Sequence, residues 1–404
     1  MSISNQILEL AKKADAALYD TYKRIDEIAI ANTAKVMNAF KNNRVSESHF
    51  AATTGYGYDD IGRTVTEKVY AEAFGTETAL VRQCICNGTH ALTIGLFGLL
   101  RPGDTLLSVT GKPYDTLEEV IGLSGEPGVG SLKDFGVNYK QCEIGQDFAN
   151  MLTDDVKVVY LQRSRGYGQR PALSPDEITK ITRFVHANSK AFVMVDNCYG
   201  EFTCENEPEA DLLVGSLIKN PGGGIALTGG YLAGTQRAVE LASYRLTSPG
   251  VGGEVGATLG QTRNMLLGFW LAPHSVAQAL KTAAFSAYMF ENCGFDVSPS
   301  YSEPRYDLIQ TVTLHDPEKL KAFVRSIQYS SPVDSFVTPE PWAMPGYTDQ
   351  VIMAAGTFTG GSTIELSADA PMREPYTAFM QGALTFESGK ISIMNALQSV
   401  LENK

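Results

Sequence analysis

The chain has 404 residues, 44% of them hydrophobic, with 33 Lys and Arg against 45 Asp and Glu and a formal charge of −12. Length and apolar content suit two or three domains with a sizeable core, and the acidic balance argues against nucleic acid or an anionic membrane as partner, since both are bound through basic patches. Six cysteines are too few for a disulfide scaffold, the longest apolar run (91–100) is short and broken by Gly95 and Gly98, and the N-terminus lacks the apolar core of a signal peptide, so a cytoplasmic protein with reduced thiols is expected.

Residues 5–42 read as helix, because Ile7, Leu8, Ala11, Ala14, Leu18, Ile25 and Ile28 share one face. Gly55, Gly57 and Gly62 then break the pattern, and the segment 1–62 is expected to be a helical arm with a partner-contacting loop. From residue 63 helices and strands alternate. Helices are expected over 63–74, 88–100 and 116–122, and strands over 79–84, 105–109, 157–161, 191–196, 211–217 and 225–234. Ser174-Pro175-Asp176-Glu177 is a capping box that opens a further helix. This alternation predicts an α/β domain over 63–262 with a mostly parallel, doubly wound sheet. Ligands then bind at the carboxyl ends of its strands, which points to Asp196 and to 216–224. Beyond residue 262 a long helix (264–290), strands near 309–314, 351–356 and 363–367, and a last helix through 375–403 predict a smaller α+β domain over 263–404. The proline-rich stretch 330–350 (Pro332, Pro339, Pro341, Pro345) reads as loop.

The glycine-rich dinucleotide fingerprint, the P-loop, the nucleophile elbow and the zinc-protease helix motif are all absent. Cys84, Cys86 and His90 have poor spacing for a metal, so no metal site is assigned. One constellation carries chemistry. GSLIKNPGGG (215–224) puts Lys219 just past an apolar strand, where desolvation is expected to lower its pKa and favour Schiff-base formation, with Ser216 three residues earlier. Asp196 ends another apolar strand, where a carboxylate would keep a pyridine nitrogen protonated. Asn87-Gly88-Thr89 opens a helix and suits a phosphate. Tyr114 follows a strand end and could stack on a planar ring. Each has a bland counterpart: a surface lysine, a turn aspartate, a helix cap, a core tyrosine. Their common location at strand carboxyl ends favours the joint reading.

The motifs GYGYDDIGRTVTEKVYAEAFGTETALV, CNGTHAL, KPYDTLEEV, LQRSRGY, VMVDNCYGEF, GSLIKNPGGG and SADAPMREPY stand in this order. In them the chain resembles the Cys/Met-metabolism branch of fold-type I pyridoxal-phosphate enzymes over about residues 55–404. Within that branch it is most similar to the aluminium-resistance, or methionine-γ-lyase-like and cystathionine β-lyase-like, subgroup. The resemblance implies the fold-type I transferase-like architecture and pyridoxal 5'-phosphate as cofactor. It implies Lys219 as Schiff-base lysine and α-proton carrier, Asp196 on the pyridine nitrogen, Asn197 beside the ring and Tyr114 stacked on it. Gly88, Thr89 and Ser216 would hold the phosphate. Tyr58 and Arg63 would reach the neighbouring subunit's phosphate, making a dimer with shared sites, or a tetramer of two such dimers. Arg373 would bind the substrate α-carboxylate. The Ser216-Leu217-Ile218-Lys219 approach, the PGGG run and the surroundings of Arg373 depart from the lyases. Arg163, Arg165 and Arg170 read as a solvated loop rather than an anion site. Three functions compete: a carbon–sulfur lyase acting on a sulfur-containing amino acid by β- or γ-elimination; another pyridoxal-phosphate reaction, such as transamination, racemisation or replacement; and a cofactor-binding protein with a non-catalytic stress or metal-resistance role.

Overall fold

The computed structural model describes residues 3–168, 170–344 and 349–403, so Pro345 of the predicted loop lies outside the described residues. The N-terminal region is two helices, α1 (Asn5–Ala17) and α2 (Tyr19–Asn42), broken at Leu18 where one continuous helix was expected. Then come α3 (Ile61–Phe74), β1 (Thr78–Arg82), α4 (Gly88–Leu99), β2 (Thr105–Ser108), α5 (Asp115–Ile121) and β3 (Asn138–Gln141). They are followed by β4 (Val156–Gln162), α6 (Pro175–Asn188), β5 (Phe192–Asp196), β6 (Leu212–Ser216), β7 (Gly230–Gly234) and α7 (Gln236–Leu246). The remainder is α8 (Thr262–Glu291), β8 (Asp296–Ser298), β9 (Gln310–Thr313), α9 (Pro317–Tyr329), β10 (Val351–Ala354), β11 (Ser367–Pro371), β12 (Thr377–Gln381) and α10 (Phe386–Glu402).

The large sheet has seven strands in the order β1-β7-β6-β5-β4-β2-β3. It is parallel from β6 to β3, and β7 runs antiparallel to both of its neighbours. Its strands are apolar on both faces because both faces are covered. Val158, Tyr160, Met194, Leu212 and Val214 face one core, while Val159, Leu161, Val193, Val195 and Leu213 face the other. That period-2 division of continuous apolar runs is the signature of a doubly wound sheet. The helix α4 lies close enough that a Cβ on Gly95 would stand 2.9 Å from Met194, which explains the glycine inside that apolar run. The capping box forms, with the Ser174 hydroxyl accepting from the Glu177 N–H.

The second sheet is antiparallel, in the order β10-β11-β12-β9-β8. Here the sequence expectations need correction. The strand expected at 363–367 is at 367–371, and 377–381, expected to begin the last helix, is a strand that pairs with both β9 and β11. The run TAFMQGALTF has no turn signal before Gly382, so apolar periodicity alone did not separate strand from helix. The α1 side chains Ile7, Ala11 and Ala14 join the core of this smaller unit, whereas Ile25, Val36 and Ala39 of α2 join the large one. No helix among the described residues is long and apolar enough to cross a membrane.

Candidate active site

The carboxyl ends of β5 and β6 open into a cavity of about 410 Å³, closed on the other side by the smaller unit. Asn87, Gly88, Thr89, Tyr114, Asp196, Ser216 and Lys219, far apart in the chain, all line it. Lys219 follows β6 and stands at the start of a short 3₁₀ turn, Asn220–Gly222. Its Nζ donates to the Ser362 carbonyl at 3.3 Å and lies 3.6 Å from the centre of the Tyr199 ring. Burial pushes this amine down, but Tyr199, Cys198 and Asp196 outweigh burial and hold it above the ordinary lysine value. The expected lowering is therefore reversed, chiefly by Tyr199 and Cys198, which the sequence reading did not single out as neighbours of this lysine.

Asp196 is 7% exposed. Its Oδ1 accepts from the Cys198 N–H at 3.1 Å, and burial raises its pKa against the opposing pull of that N–H and of Lys219. Across the cavity α4 begins at Asn87, whose side chain accepts from the His90 N–H at 2.8 Å. A Cβ on Gly88 would lie 3.7 Å from the Ser216 Cβ and 3.2 Å from Cys198 Sγ, so only glycine leaves this notch open. The Ser216 hydroxyl points into it, buried and without a hydrogen-bond partner. A helix N-terminus, a backbone notch and an orphaned buried hydroxyl form a cradle with the donor chemistry of a phosphate site.

The other expected residues lie elsewhere. Asn197 is fully buried behind the cavity wall, accepting from Arg163 Nη1 at 2.8 Å and donating to Glu207 and to the Tyr231 hydroxyl. The loop at Arg163, expected to be solvated, is buried: Arg163 is 0% and Arg165 4% exposed, and Arg163 pairs with Glu207 at 2.8 Å. Arg63 donates to the carbonyls of Gly57, Gly256 and Glu254 and braces the loop that presents Tyr58, which is 64% exposed and stacked on Tyr56. Arg373 pairs with Asp349 at 2.8 Å and borders a separate 340 Å³ hollow next to the cavity. Cys84 and Cys86 are exposed, and His90 accepts from the Cys86 N–H.

Sequence reasoning did not single out Tyr199, Tyr167, Ser362 or Asp369, which also line the cavity. Tyr199 was the most findable, since it belongs to VMVDNCYGEF, and both it and Phe202 have left-handed backbones (φ 68° and 61°). Such strain clusters at functional sites. Between them sits Glu201, fully buried, accepting from the Tyr231 hydroxyl at 2.7 Å, with its other oxygen unpartnered. Burial pushes its pKa up to about 8. The folded state thus keeps a proton that the unfolded chain gives up near 4.5, so this group's contribution to stability declines as pH rises through that window to about 8. Glu201→Gln should flatten this part of the pH profile. Urea midpoints from pH 5 to 9 read it directly, and an unchanged slope would mean that Glu201 is already ionised.

A family profile described as methionine gamma-lyase matches residues 7–401. An uncharacterised protein of Bacillus subtilis, YnbB, is 49% identical over 405 residues, covering 98% of this chain and 96% of that one. A solved structure from Listeria monocytogenes, named as a candidate cystathionine beta-lyase involved in aluminium resistance, superposes with a TM-score of 0.95 at 49% identity, covering 97% of this chain and 100% of that one. One from Clostridium novyi, named as a carbon-sulfur lyase involved in aluminium resistance, gives a TM-score of 0.93 at 49% identity over 98% of this chain and 96% of that one.

Proposed function

We propose, from the premise that the chain belongs to the methionine gamma-lyase family, that it is a pyridoxal-phosphate-dependent lyase cleaving the C–S bond of a sulfur-containing amino acid. The convergence of Lys219, Asp196, Tyr114 and the Gly88–Ser216 cradle on one cavity carries this reading. The unpartnered Ser216 hydroxyl and the open notch at Gly88 fit the phosphate of the cofactor, and Lys219 fits its aldehyde. Bound there, pyridoxal phosphate supplies an electron sink for the pair left when a substrate Cα–H bond breaks.

The protein's own groups do the rest. Lys219 would anchor the cofactor, and its free amine would take the proton from the substrate Cα and return it. Asp196 would pair with the pyridine nitrogen and keep it protonated, and Tyr114 would offer its ring as a stacking surface. Gly88, Thr89 and Ser216 would hold the phosphate and so position the cofactor for Lys219. Asn197 ties the end of β5 to the Arg163–Glu207 pair and so steadies Asp196. Elimination breaks the C–S bond, the sulfur leaves with the bonding pair and takes a proton, and hydrolysis of the remainder gives ammonia and a 2-oxo acid. The test is to incubate the holo-protein with L-cystathionine, L-methionine and L-cysteine. Matched release of thiol and 2-oxo acid from at least one is expected. Loss of the amino group to the cofactor without thiol would point to transamination instead.

The loop carrying Tyr58, braced by Arg63, faces outward and suits completion of a neighbouring subunit's phosphate site. Reassembling equal amounts of Arg63→Ala and Lys219→Ala chains should then recover about a quarter of wild-type activity, because half of the dimers are mixed and each has one intact site. Verified mixed dimers with no activity would rule out a shared site.

A further inference from the structure

Asp369 belongs to β11 in the smaller unit and faces the cavity from the side opposite Asp196 and Ser216. It is 5% exposed. Its Oδ2 accepts from the Tyr167 hydroxyl at 3.1 Å and from Ser362 Oγ at 3.2 Å. Both donors are neutral. Among the described residues lining the cavity, Lys219 is the one basic side chain, set against two carboxylates, Asp196 and Asp369. Arg165, Arg170 and Arg373 border the neighbouring hollow instead.

On the cofactor reading above, on which this inference rests, the Lys219 nitrogen is taken by the cofactor, whose phosphate brings further negative charge. Asp196 is matched to the ring nitrogen. Asp369 is then a carboxylate whose burial pushes its pKa up, eased by the neutral Tyr167, Ser362 and Gln381 side chains, and with Lys219 taken it has no cation in the cavity. An unpaired buried charge is costly, and such groups persist where something pairs with them. The remaining place for a cation is the space at the small-domain wall, where the far end of a substrate lies. We propose that Asp369 determines specificity by receiving a cationic group on the substrate side chain, so that the preferred substrates are amino acids carrying a second ammonium group. If Asp369 served only to brace Tyr167 and the 360–362 segment, a neutral isostere would serve equally well.

The test uses the holo-protein and the change in the cofactor's visible absorption on adding L-lysine, L-ornithine or L-norleucine, an uncharged analogue with a side chain of ornithine's length. None contains sulfur, so binding is read without C–S cleavage. At least one of the two cationic amino acids should bind about tenfold or more tighter than norleucine, the scale of one charge-assisted hydrogen bond. Asp369→Asn, which can still accept from Tyr167 and Ser362, should keep the cofactor band and lose this preference, while Asp369→Glu should retain part of it. On the wild type alone, L-glutamate should bind more weakly than norleucine. Norleucine binding as well as both cationic amino acids, or a preference that survives in Asp369→Asn, overturns the proposal while leaving the cofactor reading intact. Absence of any visible band on adding pyridoxal phosphate overturns the cofactor reading, and this inference with it.

Discussion

Lys219→Ala is expected to fold with the wild-type circular dichroism spectrum, to show no visible band from covalently held pyridoxal phosphate, and to lose about 100-fold to 10,000-fold in turnover, the range of a lost general base. The expectation follows from the position of the side chain. Lys219 Nζ makes one hydrogen bond, to the Ser362 carbonyl, and one ring contact, to Tyr199. Its removal leaves a carbonyl at the edge of an open cavity, so the fold survives. Borohydride reduction of the wild-type holo-protein followed by peptide mapping checks the same point independently. An adduct on Lys112, which pairs with Glu118, or on Lys281, which pairs with Asp26, would refute the assignment.

Asp196→Asn tests the electronics of the site with almost no change of shape. An asparagine oxygen can still accept from the Cys198 N–H, so the turn after β5 stays capped. What is lost is the negative charge that keeps the pyridine nitrogen protonated, and with it most of the electron sink. We expect the cofactor to remain bound with a shifted band and turnover to drop by about 100-fold or more, comparable to removing one preorganised electrostatic partner. A purely structural aspartate predicts the opposite pattern: lower thermal stability, an unchanged band and activity within a few-fold of wild type.

The parallel sheet was legible because its strands are continuous apolar runs bounded by turn residues, and two of those runs end in Asp196 and lead into Lys219. A buried strand in a covered sheet has little alternative sequence, and strand carboxyl ends are where such sheets bind ligands. That is why the lysine, the aspartate and the Gly88–Ser216 cradle could be picked out before any coordinates. Short edge elements were not legible: β3 and β8 are four and three residues long and carry too few positions for a period to register. The antiparallel direction of β7 was equally hidden, because direction is decided by the path of the connection and not by the strand's own residues.

Side-chain partners lie further beyond the reach of sequence. Arg163 and Arg165 look like part of an exposed polar loop, yet they are buried because Asn197, Glu207 and Ser298 arrive from distant segments to satisfy them. Arg373, which the resemblance implies as the ligand of the substrate α-carboxylate, pairs with Asp349, a partner its local sequence does not announce. Asp369 lies in the quoted SADAPMREPY run, but an aspartate in a short strand looks like a surface residue until the Tyr167 and Ser362 hydroxyls close over it. Periodicity and strand-end chemistry are local, so the sequence by itself marked out the apolar strands of the large sheet and singled out Lys219, Asp196, Gly88 and Ser216 as candidates. Burial and charge balance are sums over residues far apart in the chain, so the electrostatic character of the cavity was decided only by the tertiary structure.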